Sequence, residues 1–128
     1  MNPAFLISRI LPYIAIVDDD PSVLKAIRRL LDSCGFCAGT FASGRIFLDA
    51  LHDHSPDCVL LDLHMLGLTG WEVQAKMAAS GFAAPVIFIT GDGDPAVWDK
   101  ATAAGAVALL RKPFSEQELL EMIEMAIR

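Results

Sequence analysis

The sequence has no long uninterrupted apolar run, although 54% of its residues are hydrophobic. The longest stretch without a charged residue covers residues 77–91, and it contains Gly81 and Pro85. A membrane-spanning helix needs about 20 consecutive apolar residues, so we predict no membrane span. No basic residue precedes the apolar part of residues 1–9. We therefore expect no secretory signal and a cytoplasmic location.

Cysteine and positive charge are both scarce. Three cysteines, an odd number, do not make a complete disulfide framework. Ten Lys and Arg residues stand against sixteen Asp and Glu residues, which gives a formal net charge of −6. An acidic surface repels the phosphate backbone of nucleic acids and the headgroups of anionic membranes. We therefore expect no direct binding of nucleic acid or of a membrane.

The length of 128 residues corresponds to one domain with a hydrophobic core of its own. A charged fraction of only 20% beside the high apolar fraction excludes a disordered chain. We divide the chain into an N-terminal extension, residues 1–12, and one domain, residues 13–128. The role of the extension stays open.

Five short apolar runs predict β-strands. Their apolar residues are continuous rather than alternating, which is typical of strands that are covered on both faces. The runs cover residues 13–17, 37–41, 58–61, 86–89 and 107–110.

Helical patterns fill the gaps between these strands. Helix starts are indicated by Asp20 before Pro21, by Ser43, by Asp94 before Pro95 and by Ser115. A further helix is predicted over residues 71–79. The resulting order, strand then helix five times, requires parallel pairing with right-handed crossovers. It predicts an α/β fold with an open, doubly wound, five-stranded parallel sheet, (βα)5.

Polar residues follow four of the strands, at the edge where such sheets carry their functional sites. Asp18 and Asp19 follow the first strand, Asp62 the third, Thr90 the fourth and Lys112 the fifth. Clustered carboxylates need a counter-charge, and Mg²⁺ with its preference for oxygen ligands is the natural one. An ammonium group and a hydroxyl suit a phosphoryl group. Asp62 is a candidate nucleophile, because carboxylates form acyl phosphates.

These residues lie in four motifs: IVDDD at 16–20, LLDLHM at 60–65, ITG at 89–91 and KPF at 112–114. Together they resemble the receiver domain of two-component response regulators, in particular the chemotaxis-regulator type. The resemblance covers residues 13–127. It implies a flavodoxin-like sheet with strand order 2-1-3-4-5.

The resemblance also implies a metal site and a phosphorylation site. Asp62 resembles the aspartate that accepts the phosphoryl group. Asp19 is similar to the direct ligand of Mg²⁺ (or Mn²⁺), and Asp18 to the residue that holds the metal through water. The backbone carbonyl of His64 would complete the protein ligands, together with Asp62 itself.

Further residues match positions that act in switching. Thr90 resembles the hydroxyl that moves toward the phosphoryl group, and Lys112 the lysine that pairs with it. The resemblance implies a cis peptide bond before Pro113. Gly91 resembles the small residue that admits the phosphoryl group. Leu109 departs from the family, which usually has Tyr or Phe there, so we expect an altered readout.

Two more side chains flank the expected approach of water to a phosphorylated Asp62. They are His64 and Asp92, two residues past the acceptor and two past the threonine. We expect substitutions of either residue to change the lifetime of the phosphorylated state without abolishing phosphorylation.

The resemblance implies a phosphoaspartate switch that receives its phosphoryl group from a sensor histidine kinase or a histidine phosphotransfer protein. It implies a protein target or an output domain downstream, and possible homodimers through the fourth helix, fifth strand and fifth helix. We expect no enzymatic activity beyond the domain's own phosphorylation and dephosphorylation. The sequence stops at Arg128, directly after the last helix, and a stand-alone protein is slightly favoured over a receiver excised from a transcription factor or hybrid kinase.

Two alternatives of other kinds stay open. A receiver-like module that acts without phosphorylation usually lacks the acidic pair, the acceptor or the lysine, and all of these are present. A phosphatase with an aspartyl nucleophile would carry a second Asp two residues after it, where this chain has His64.

Overall fold

The computed structural model describes residues 11–91 and 93–128. The expectations for Asp92 and for residues 1–10 of the N-terminal extension therefore lie outside the described residues.

Strands and helices alternate five times along the described chain. The strands are β1 (Tyr13–Val17), β2 (Cys37–Phe41), β3 (Cys58–Asp62), β4 (Val86–Thr90) and β5 (Ala108–Arg111). The helices are α1 (Pro21–Ser33), α2 (Gly44–Ala50), α3 (Gly70–Ala79), α4 (Pro95–Ala103) and α5 (Glu116–Ala126). All the pairings are parallel, and the strands lie in the order β2-β1-β3-β4-β5. The predicted doubly wound fold and its strand order are confirmed.

The sheet separates two hydrophobic clusters, as expected for strands that are buried on both faces. Successive side chains of a strand point to opposite faces. In β1, Ile14 and Ile16 therefore pack against α1 and α5, whereas Ala15 and Val17 pack with α2, α3 and α4. The continuous apolar runs in the sequence follow from this double coverage.

Helix starts coincide with short polar side chains that accept a backbone N–H from the first turn. These N-cap residues are Asp20, Ser43, Thr69, Asp94 and Ser115. At α3 the cap is reciprocal, since Glu72 also accepts from the backbone N–H of Thr69. Gly35, with φ of +86°, ends α1.

Three strands end one residue later than predicted, because their last residues are polar and lie just beyond the apolar runs, and β5 also begins one residue later, at Ala108. Asp62 is paired with Ile89 in the β3–β4 ladder, and Thr90 with Arg111 in the β4–β5 ladder. The backbones of Asp62 and Thr90 are therefore held by the sheet rather than by loops.

No helix in the described part of the chain is both long and apolar enough to cross a membrane.

Candidate functional site

The polar residues singled out in the sequence meet at the carboxyl edge of the sheet. Asp18 follows β1, Asp62 and Thr90 are the last residues of β3 and β4, and Lys112 follows β5. The chain crosses from one face of the sheet to the other where β1 lies beside β3, and ligands bind at such a switch point in open α/β sheets.

Three carboxylates form the centre of this edge. Asp18, Asp19 and Asp62 each offer one oxygen, and these oxygens lie within 4.8 Å of one another. Asp18 is 1% exposed and Asp62 is 4% exposed, whereas Asp19 is only partly buried. Hard oxygen donors that converge in this way fit a divalent cation such as Mg²⁺.

The electrostatics of Asp18 reflect this crowding. Burial raises the pKa of the Asp18 carboxyl above its ordinary value, and the negative charge of Asp62 raises it further. The backbone N–H of Asp20, which donates to Asp18 Oδ1 at 2.9 Å, and the ammonium of Lys112 act in the opposite direction. Burial prevails, so the pocket holds a carboxylate whose charge is not fully compensated by protein groups.

Lys112 provides the positive charge within the site. Its Nζ lies 3.4 Å from Asp18 Oδ2 and 4.0 Å from Asp62 Oδ2. Its backbone N–H donates to the carbonyl of Thr90 at 2.7 Å, and the peptide bond to Pro113 is cis. The lysine therefore reaches both buried carboxylates from the end of β5.

His64 connects the acceptor candidate to Thr90. Its backbone N–H donates to Asp62 Oδ1 at 3.2 Å, and its imidazole Nε2 lies 3.2 Å from Thr90 Oγ1. Thr90 is fully buried, whereas His64 is exposed. The sequence placed His64 beside the site, but its contact with Thr90 depends on a side-chain rotamer that no sequence pattern reports.

Two other contacts were missed by the sequence analysis. The backbone N–H of Leu66 donates to Asp19 Oδ2 at 3.0 Å. Gly70 packs against the end of β3, so that a Cβ built on it would lie 2.6 Å from the carbonyl oxygen of Asp62. A glycine directly after the α3 cap Thr69 is the one available hint of that close approach.

The remaining candidates occupy the surroundings of the site. A Cβ built on Gly91 would meet no atom of the described residues within 4 Å, which leaves open space at the end of β4 among those residues. Leu109 is partly buried and packs against the cluster formed with α2, α3 and α4.

Comparisons with known proteins indicate one protein family. A model of the family described as "response regulator receiver domain" matches residues 14–124. The transcriptional regulatory protein FixJ of Bradyrhizobium diazoefficiens is 40% identical over 116 residues, which are 91% of this chain and 57% of that protein. The response regulator protein TodT of Pseudomonas putida is 39% identical over 115 residues, 90% of this chain and 51% of that protein. The chain thus spans about half the length of these curated relatives.

Solved structures give the same result. A response regulator receiver protein from Burkholderia phymatum is 48% identical, with a TM-score of 0.82 over 91% of this chain and 94% of that one. The chemotaxis protein CheY4 of Vibrio cholerae is 26% identical, with a TM-score of 0.84 over 91% of this chain and 98% of that one.

Proposed function

The chain belongs to the response regulator receiver domain family, whose members are signalling switches, and from that premise we propose that its Asp62 accepts a phosphoryl group. A carboxylate oxygen of Asp62 attacks the phosphorus of a phosphohistidine in the donor protein. The P–N bond breaks and its electron pair stays on that imidazole nitrogen. Because the other ring nitrogen of the phosphohistidine carries a proton, the donor ring leaves as neutral imidazole. The product is an acyl phosphate on Asp62.

The position of Lys112 carries this proposal. An ammonium 4.0 Å from Asp62 Oδ2 and 3.4 Å from Asp18 Oδ2 is placed to attract a phosphoryl group that arrives on Asp62. Burial of Asp62 at the end of a hydrogen-bonded strand also fixes the direction from which a donor reaches it.

A divalent cation is the second part of the proposal. Asp18, Asp19, Asp62 and the carbonyl of His64 would hold Mg²⁺ or Mn²⁺, and the three convergent carboxylate oxygens support this choice. When bound, the cation neutralises charge on the phosphoryl oxygens. The protein's own part is to hold Asp62 still and to keep Lys112 beside it.

Switching would follow from the new charge. A phosphoryl group on Asp62 offers oxygens to Thr90 and Lys112, and Thr90 lies directly before the loop that leads to α4. Exposed apolar side chains occur in this part of the chain: Trp98 in α4, Val107 directly before β5, and Met125 in α5. Exposed apolar groups of this kind favour a protein contact, either with a second copy or with an output module.

The donor would be a sensor histidine kinase or a histidine phosphotransfer protein in the cytoplasm. The longer relatives FixJ and TodT are named as a transcriptional regulator and a response regulator. A gene-regulatory output on a longer protein is therefore the downstream role that we favour. Direct nucleic-acid contact by this acidic domain, and catalysis beyond its own phosphorylation, are not part of the proposal.

Intact-mass spectrometry after incubation with a small-molecule phosphodonor and Mg²⁺ tests the proposal. We expect the wild-type protein to gain the mass of one phosphoryl group, and the Asp62→Asn protein to gain none. Asp20→Asn is the matched control, because Asp20 caps α1 and Asn retains that function. Absence of the added mass in the wild type favours a phosphorylation-independent module, and multiple turnover of a phosphomonoester favours a phosphatase.

A further inference from the structure

A backbone hydrogen bond links the two loops that border the acidic cluster. The N–H of Leu66, in the loop after β3, donates to Asp19 Oδ2 in the loop after β1 at 3.0 Å. Leu66 is 86% exposed, and its hydrogen bond to the site comes from its backbone N–H.

Asp19 differs from the other two carboxylates in how it is held. Asp18 accepts from the N–H of Asp20, and Asp62 from the N–H of His64, each within two residues along the chain. Both also lie beside the Lys112 ammonium. For Asp19, which is only partly buried, the hydrogen bond that the described residues provide comes from Leu66, 47 positions away.

We propose that the Leu66 backbone N–H is a positioning donor that orients the Asp19 carboxylate for a divalent cation. The proposal rests on the metal site under "Proposed function" and names a residue on which its affinity depends. A partly exposed carboxylate loses rotamer freedom when it binds a metal. The hydrogen bond from Leu66 to Asp19 Oδ2 already restricts that freedom, and it does not involve the other carboxylate oxygen, Oδ1. Outer hydrogen bonds that orient a ligand typically contribute about 10- to 100-fold in metal affinity.

A competing role of the Leu66 N–H would have the opposite effect on Mg²⁺ affinity. If a cation needed Oδ2 itself, the Leu66 N–H would compete with it, and removing the donor would tighten binding. Removing the Leu66 N–H therefore lowers the affinity for Mg²⁺ if this group positions Asp19, and raises that affinity if this group competes with the cation.

The test compares Leu66→Pro with Leu66→Ala by Mg²⁺ calorimetry. Proline removes the N–H, whereas alanine keeps it and removes only an exposed side chain. We expect Leu66→Pro to weaken Mg²⁺ binding about tenfold and Leu66→Ala to resemble the wild type. Equal or tighter binding by the proline variant overturns the inference. A wild-type protein that binds no Mg²⁺ instead overturns the metal site on which the inference rests.

Two further measurements guard against a distorted loop in the proline variant. Leucic acid at position 66 replaces the amide by an ester, so it removes the donor but keeps the side chain, and it should weaken binding as proline does. In the metal-free wild type, hydrogen exchange at the Leu66 amide should be slowed, and Asp19→Ala should abolish that protection. An unprotected Leu66 amide in the wild type, or an ester variant with wild-type affinity, overturns the inference.

Discussion

The imidazole Nε2 of His64 lies 3.2 Å from the hydroxyl of Thr90, which joins the loop after β3 to the end of β4. The same residue donates its backbone N–H to Asp62. The exposed His64 side chain thus lies at the edge of the sheet where a phosphoryl group on Asp62 would be located. Water must reach the phosphorus from this edge to hydrolyse the acyl phosphate.

We predict that His64→Ala shortens the half-life of the phosphorylated protein several-fold. Alanine uncovers the approach to Asp62 and removes the imidazole contact with Thr90, while the backbone N–H to Asp62 remains. Decay of the phosphorylated species, followed by intact mass, measures the effect. The control is His52→Ala. His52 lies in the loop before β3, at the opposite edge of the sheet from Asp62, and its ring packs on Phe82. An unchanged half-life in His64→Ala would mean that the imidazole is only a solvated loop group.

The second prediction concerns the cation. Three carboxylates at one edge repel one another, so Mg²⁺ should raise the melting temperature by binding the folded state. Asp19→Ala should weaken Mg²⁺ binding at least about tenfold, and Asp62→Ala should weaken this binding as well. Asp32→Ala, an equal change of charge at the end of α1, should leave the Mg²⁺ response intact. A melting curve of the wild type that ignores millimolar Mg²⁺ would contradict the site.

Much of the fold follows from local patterns in the sequence. Continuous apolar runs indicated the strands because both faces of the sheet are covered, and Asp20, Ser43, Asp94 and Ser115 indicated the helix starts because short polar side chains cap them. The strand-end rule then predicted that the polar residues after separate strands would meet. The ends of β3, β4 and β5 were each missed by one residue, since backbone hydrogen bonding does not depend on whether the side chain is polar.

The finer contacts of the site required coordinates. The donor to Asp19 is a backbone N–H, which every residue except proline carries, so nothing in the identity of Leu66 indicates it. The contact between His64 and Thr90 depends on a rotamer and on the path of the loop. Both contacts arise from loop conformation, which short motifs do not encode.

The third prediction is a pH dependence caused by Asp18. Burial raises the pKa of this carboxyl in the folded state above its ordinary value. The contribution of Asp18 to stability therefore falls as the pH rises from the ordinary Asp value through the raised one, because this carboxyl binds its proton more tightly in the folded state than in the unfolded state. Without metal, Asp18→Asn should melt a few degrees higher than the wild type at neutral pH. The difference should disappear below the ordinary Asp value.

Melting temperatures between pH 3 and pH 8 in the absence of divalent cations check this sign, with about half-unit steps through the titration range of Asp. Asp20→Asn is the control, because Asp20 is an exposed helix cap outside the cluster. A variant at position 18 that is less stable than the wild type at neutral pH would show that attraction by Lys112 outweighs burial.

The last prediction concerns Gly70, where two effects of a methyl group oppose each other. Alanine is favoured over glycine by up to about 1 kcal/mol within a helix, but a Cβ here would lie 2.6 Å from the Asp62 carbonyl oxygen and 2.9 Å from Leu63 Cα. These are backbone atoms of the sheet and the loop, so they do not swing aside as a flexible side chain would. Overpacking of this kind typically costs about 1–3 kcal/mol, and the net effect of Gly70→Ala should be destabilising.

Because the backbone of Asp62 must shift, Mg²⁺ binding should weaken too. Gly91→Ala is the matched control for stability, since a Cβ there meets no atom within 4 Å in the part of the chain that the structure describes. Thermal melts and Mg²⁺ calorimetry of the two variants check the prediction, and a Gly70→Ala protein as stable as Gly91→Ala would contradict it.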